Sequence, residues 1–150
     1  MKINDLFESC SDIYSELMAP VCRSYALTQM ELTILLFLAN NPQDDTAALI
    51  VKKRRLTKSH VSVSVRALRE RGYLACEHEG EDRRTVHLRP LEAALPVIAD
   101  GRAVQELFVG TLLKGFSEDE RARLAGYLVR VAASVREYGR SAGEKKDGRE

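Results

Sequence analysis

At 150 residues, with 30% charged side chains and a formal net charge of +1, the chain fits one domain and leaves little room for separate cofactor and substrate lobes. No apolar run is long enough to span a bilayer, and the opening MKINDLFESCSD mixes charges where a leader would place a basic region and an apolar stretch, so a cytoplasmic protein without membrane contact is expected. Three scattered cysteines, Cys10, Cys22 and Cys76, supply neither a disulfide framework nor a paired CxxC zinc motif.

Leu6, Ile13, Leu17 and Val21, with Phe7, Tyr14 and Met18 beside them, recur at helical spacing and predict an amphipathic helix over 4–23, with Pro20 placed to kink or end it. Thr28-Gln29-Met30-Glu31 has the form of a capping box, in which hydroxyl and carboxylate satisfy each other's free amides, and the apolar run Leu32–Ala39 that follows predicts a buried helix over 29–39. Asn40-Asn41-Pro42 stops that helix. Asp44, Asp45 or Thr46 then caps a short one from Ala47 to Arg55, whose basic end suits the negative pole of the helix. Thr57 caps the next, where Val61, Val65 and Leu68 form an apolar stripe and Ser59, His60, Ser62, Val63, Arg66 and Arg69 lie on the other side. Two short helices joined by a tight turn, the second polar on its outer face and closed by Gly72, describe a helix-turn-helix.

Leu74, Cys76 and His78 alternate on one strand and Val86 and Leu88 on another, around the turn-rich Glu79–Arg83. A hairpin directly after a helix-turn-helix is a wing. Long helices are predicted over 91–114 and 118–138, the second opened by the capping box Ser117-Glu118-Asp119-Glu120, while Gly139–Glu150 is polar and reads as a fraying end. The expected architecture is mainly α (α+β), a winged helix-turn-helix with long dimerisation helices. One domain spans 1–140, with a DNA-binding core at 28–89, dimerisation helices at 4–23 and 91–139, and a flexible tail at 141–150. The apolar faces of the terminal helices (Leu107, Phe108 and Leu112; Leu124, Leu128, Val131 and Val135) exceed what a small core can cover, so a homodimer is expected.

Charge distribution points to the partner. Between Lys52 and Arg71 lie eight basic residues and the single acid Glu70, a local +7 that leaves −6 for the rest of the chain. Such a concentrated block is the footprint of a polyanion-binding face, here double-stranded DNA. The alternative of another class is a protein-interaction module with an acidic partner. No glycine-rich phosphate loop, nucleophile elbow or HExxH motif occurs, so no enzyme and no cofactor are expected. Cys76, His78 and His87 lack an evident fourth donor, so no metal is expected.

Over residues 4–139 the sequence resembles the MarR family of winged helix-turn-helix transcriptional regulators. The resemblance rests on Arg54-Arg55-Leu56-Thr57-Lys58-Ser59-His60-Val61-Ser62, on Arg71-Gly72-Tyr73-Leu74 and on Asp82-Arg83-Arg84. It implies a wing motif in which Arg84 enters the minor groove and Asp82 braces it, and a ligand-responsive repressor acting as a homodimer on a pseudo-palindromic operator. Val63 stands where the family commonly has a basic or amide residue, which points to an apolar contact such as a thymine methyl. Pro90-Leu91 stand where Leu-Thr often opens the next helix.

From these residues the expected DNA contacts are Ser59, His60, Ser62, Val63 and Arg66 at base edges, and Lys58, Arg69 and Arg83 at phosphates. A small-molecule effector, implied by the resemblance, would sit near Tyr14, Met18, Tyr25 and Met30. A redox-sensing variant of the same fold would use Cys10 or Cys22.

Overall fold

The computed structural model describes residues 2–79 and 82–147, and the side chains of residues 2–78 and 85–138. The chain forms two compact units, Met1–Val109 and Gly110–Glu150. Helices α1 (Ile3–Tyr25), α2 (Gln29–Asn40), α3 (Ala47–Arg54) and α4 (Lys58–Glu70) come first. An antiparallel hairpin of β1 (Leu74–Glu79) and β2 (Asp82–Pro90) follows, then a 3₁₀ turn over Glu92–Ala94, α5 (Leu95–Leu112) and α6 (Glu118–Asp147). The winged-helix order read from the sequence is the observed one.

Helix α2 is the centre of the first unit because its run Ile34–Leu38 has no polar face to turn outward, and all five side chains are at most 3% exposed. Met18 and Val21 of α1, Ile50 of α3, Val61 and Leu68 of α4, Leu74 and Leu88 of the hairpin, and Val97 and Ile98 of α5 complete the cluster. Each such side chain stabilises the fold by about 1.5–3 kcal/mol on burial. Gly101 of α5 lies where a Cβ would come within 2.8 Å of Leu36 Cδ2, so this glycine permits the close approach of α5 to α2.

The predicted caps form. Thr28 Oγ1 accepts from the Glu31 amide at 3.1 Å while the Thr28 amide donates to Glu31 Oε2 at 2.8 Å. Thr46 and Thr57 accept from the Leu49 and His60 amides. At the far end of α4 the Gly72 amide donates to the Arg69 carbonyl and the Tyr73 amide to that of Leu68, with Gly72 at φ +74°. This is a Schellman turn, which requires a residue that tolerates the left-handed region.

Helices α1 and α6 run past their predicted ends. Helix α1 runs through Pro20 to Tyr25, since burial of Val21 beyond the proline offsets the lost amide bond. Helix α6 runs to Asp147, past the predicted stop at 138, because the Arg, Ala, Glu and Lys residues there are good helix formers and outweigh Gly139 and Gly143.

Polar side chains of α5 close the ends of its neighbours within the first unit. Arg102 donates to the Ala39 carbonyl at 2.6 Å and to Asn40 Oδ1 at 3.0 Å, so a cation meets the C-terminal pole of α2. Gln105 accepts from Asn40 and donates to the Tyr14 hydroxyl, whose ring packs edge-on against Phe108 at 5.2 Å.

In the second unit Ser117 and Glu120 form the predicted capping box, and hydrogen bonds from Ser117 hold the Glu120 carboxyl below its ordinary pKa. The guanidinium of Arg121 donates to the carbonyls of Leu113 and Phe116, fixing the turn before α6. Of the described α6 side chains only Leu124 is half-buried, and the rest are exposed. Leu124, Leu128, Val131, Val135 and Tyr138 recur at alternating four- and three-residue steps, the spacing of a helix seam.

Candidate nucleic-acid interface

Burial of Val61, Ser64 and Leu68 fixes the rotation of α4 and therefore decides what faces outward. Ser59, Ser62, Val63 and Arg66 stand at i, i+3, i+4 and i+7 and form one exposed stripe opposite the core. His60, Lys58 and Arg69 are exposed beside it. Val63 is 62% exposed, an apolar side chain that the fold itself has no use for at that position. The structure therefore brings together all seven helix residues expected from the sequence. The side chains of Asp82, Arg83 and Arg84 lie outside the described residues.

The basic block is less uniform than its sequence. Lys53 forms an ion pair with the buried carboxylate of Asp44, Arg54 stacks over the Phe37 ring at 5.4 Å, and Arg71 donates to backbone carbonyls. These three cations have structural work to do inside the chain. Among the described residues the side chains of Lys52, Arg55, Lys58, Arg66 and Arg69 have no hydrogen-bond or ion-pair partner. These five exposed cations on α3, α4 and the turn between them give a local positive potential that net charge conceals.

Arg55 is at φ +52°, in the left-handed turn between α3 and α4. A side chain with a Cβ costs about 1 kcal/mol there. Arg55 precedes α4 by three residues in the chain, and the free amides of the first turn of α4 also favour an anion.

The wing is anchored at its base. The Leu88 amide donates to the Asp45 carbonyl at 2.7 Å, Thr46 bridges to His87, and His87 Nδ1 is 2.9 Å from both Asp45 carboxylate oxygens. The register pairs Leu74 with Pro90, Cys76 with Leu88 and His78 with Val86, and breaks between His78 and Glu79. Glu77 and Arg89 pair across the strands at 2.6 Å on the exposed face. The tie from Asp45 to His87 spans 42 residues and left no local signal in the sequence.

A cavity of about 620 Å³ opens between α3, α4 and the hairpin, lined by Val51, Val61, Val65, Cys76, Val86 and Leu88 among others. It was not foreseen, since each of these residues reads as ordinary core. The expected effector residues are placed differently. Met18 is 2% exposed, Met30 is half-buried against the core, Tyr14 packs on Phe108, and the Tyr25 hydroxyl donates to Asp100 at 2.7 Å. Burial pushes the Cys22 thiol above its ordinary pKa. Cys10 and Cys22 lie twelve residues apart on one helix, about 18 Å, too far to join in a disulfide with each other.

Comparison with known proteins places these features. Residues 27–85 match the family model described as MarR family. The transcriptional regulator PA3341 superposes with a TM-score of 0.76 at 23% identity, over 91% of this chain and 99% of its own. A putative MarR family transcriptional regulator from Listeria monocytogenes, solved with a 26mer DNA, gives 0.75 at 16% identity over 90% and 89%. The S. aureus MepR–DNA complex gives 0.71 at 18% over 89% and 96%. No match occurs among curated proteins. Among the described residues no single helix is long and apolar enough to cross a membrane.

Proposed function

From a MarR-family segment over residues 27–85 carried on a winged-helix fold, we infer that the chain is a sequence-specific, double-stranded DNA-binding transcriptional regulator. The observation that carries this reading is the exposed stripe Ser59–Ser62–Val63–Arg66 on a helix packed through Val61, Ser64 and Leu68, flanked by exposed cations. An α-helix fits the width of the major groove, and outward side chains near its N-terminus then reach base edges. Arg66 donates to a guanine edge, Ser59, His60 and Ser62 to base or phosphate oxygens, and Val63 covers a thymine methyl. Lys58, Arg69 and Arg83 neutralise phosphate, and Arg84, braced by Asp82, enters the adjacent minor groove.

The protein acts as a homodimer. The heptad-spaced stripe of α6 and the exposed Ile3, Leu6, Phe7 and Ile13 of α1 are the surfaces a second copy covers. A twofold dimer presents two recognition helices and therefore selects a pseudo-palindromic site with half-sites about 34 Å apart. Repression relieved by a small molecule completes the reading. Tyr14, Met18 and Tyr25 lie on α1 and Met30 on α2, two helices whose packing a ligand there would alter. A redox switch is the weaker reading, because the raised pKa of Cys22 leaves less of the reactive thiolate.

Substitution with binding measured on specific and random duplex tests the docking mode. Arg66→Ala should cost about 1–3 kcal/mol on the specific site and relax its sequence preference, and Arg84→Ala should weaken binding with the dimer intact. Lys58→Ala should weaken both duplexes alike and lower the salt slope by about one per phosphate lost. Unchanged affinity in both arginine variants removes the proposed docking.

A further inference from the structure

Arg71 belongs to the basic block by sequence, yet its side chain points into the protein's own backbone. It is the C-cap residue of α4, and its guanidinium donates through Nη1 to the Ala26 carbonyl and through Nη2 to the Tyr25 carbonyl, both at 2.7 Å. The same guanidinium lies 5.1 Å from the Tyr73 ring centroid. The acceptors are the last carbonyls of α1, which ends in a left-handed turn at Ala26, φ +49°, with the Leu27 amide bonded back to Cys22. Carbonyls at a helix C-terminus have no partner within the helix and form its negative pole, so a planar two-donor cation is the best cap available to them.

The junction continues beyond α1. The Tyr25 hydroxyl donates to Asp100 of α5 at 2.7 Å, and this bond raises the phenol pKa. The Tyr73 carbonyl accepts from the Leu91 amide at the entry to the α5 segment. One guanidinium thus joins the end of the recognition helix to the end of α1, and through Tyr25 to α5. Inside the chain, α4 is packed along its length through Val61, Ser64 and Leu68, and this clasp ties its C-terminus to α1 in addition.

We propose that Arg71 is a positioning residue, and not a phosphate contact: its two-pronged clasp on Tyr25 and Ala26 fixes α4 relative to α1 and α5, and so sets the half-site spacing the dimer accepts. This rests on the DNA-binding reading above. The requirement is geometric. A half-site needs only the outward stripe of α4, whereas two half-sites on one duplex need both recognition helices at the correct separation and tilt. Loss of the clasp loosens that separation and leaves the stripe untouched.

Arg71→Lys separates the two roles, because lysine keeps the charge but has no planar fork to reach two carbonyls at once. Full-length wild type, Arg71→Lys, Arg71→Ala and Tyr25→Phe are compared on a palindromic duplex, on the same duplex with one base pair inserted between half-sites, and across a salt series. The expected result for both Arg71 variants is about a tenfold loss on the native spacing, a smaller loss on the altered spacing, and an unchanged salt slope. Tyr25→Phe should shift the spacing preference in the same direction by less. Hydrogen exchange without DNA should show faster exchange at the Ala26, Leu27 and Tyr73 amides in the Arg71 variants. If lysine restores wild-type affinity and alanine lowers the slope by about 1.8 for the dimer, Arg71 is a phosphate contact and the proposal is overturned. Wild-type binding with an unchanged spacing preference in Arg71→Lys overturns it alone, whereas absence of any duplex binding by wild type overturns the regulator reading and the positioning role with it.

Discussion

Helix α2 hides Ile34, Leu35, Leu36, Phe37 and Leu38 inside its own chain, whereas α6 leaves Tyr127, Leu128, Val129, Val131, Val135 and Tyr138 exposed. The difference lies in patterning. An apolar run with no polar face has a stable place only at the centre of a fold, and α2 takes it. A 4-3 stripe, here with Tyr127 and Val129 beside it, is complete only against another apolar surface, and the described α6 side chains other than Leu124 stay exposed. The first unit therefore holds a buried core, and on the reading proposed above the exposed apolar stripe of the second is half of a dimer interface.

The comparison breaks most visibly on α6. Leu128→Glu with Val135→Glu places two carboxylates on the seam, and it should convert dimer to monomer by sedimentation while leaving the burial around α2 intact. Affinity for a palindromic duplex should then fall by at least about a hundredfold, since the second half-site is no longer tethered to the first. A dimer that survives both charges would show that α6 is a solvated helix.

A smaller effect is expected where α5 meets α2. Gly101→Ala adds a methyl 2.8 Å from Leu36 Cδ2 in a filled core. Overpacking costs about 1–3 kcal/mol and the gain in helix propensity returns about 1, so a net loss of about 1 kcal/mol should appear as a lower denaturation midpoint. A rise in the midpoint would mean that Leu36 yields freely. Smallest is the cap of α6. Ser117 depresses the Glu120 pKa, so the folded state gains from the ionised carboxylate above its unfolded pKa and loses that gain as pH falls through the lower, folded value. Helix content of wild type should decline slightly over that acidic window, and Glu120→Gln should flatten the decline.

Elements whose signals are local were legible in the sequence. Thr28, Thr46, Thr57 and Ser117 cap the helices assigned to them, the alternation around Leu74 and Leu88 is the hairpin, and Val61 and Leu68 turn the Ser59–Arg66 stripe outward. Pairings across long separations were not. Nothing in the block Lys52–Arg71 distinguishes Lys53, Arg54 and Arg71, which serve Asp44, Phe37 and the end of α1, from the five cations left facing solvent. The tie from Asp45 to His87 and the cavity beneath the hairpin likewise arise from tertiary packing. The first helix, expected over 4–23, ends two residues later at Tyr25, and the last runs past Gly139 to Asp147, where neighbouring propensity outweighs a single unfavourable residue.

The measurement that tests the central claim most directly is competition on duplex DNA across a salt series. If each protomer neutralises about four phosphates through the exposed cations of α3, α4 and the wing, the dimer should show a log–log slope near −7, at roughly −0.9 per phosphate. At fixed salt a palindromic site from the chain's own upstream DNA should outcompete random duplex by at least about a thousandfold. A flat salt response, or displacement of all DNA by an acidic protein with no duplex sequence preferred, would contradict it.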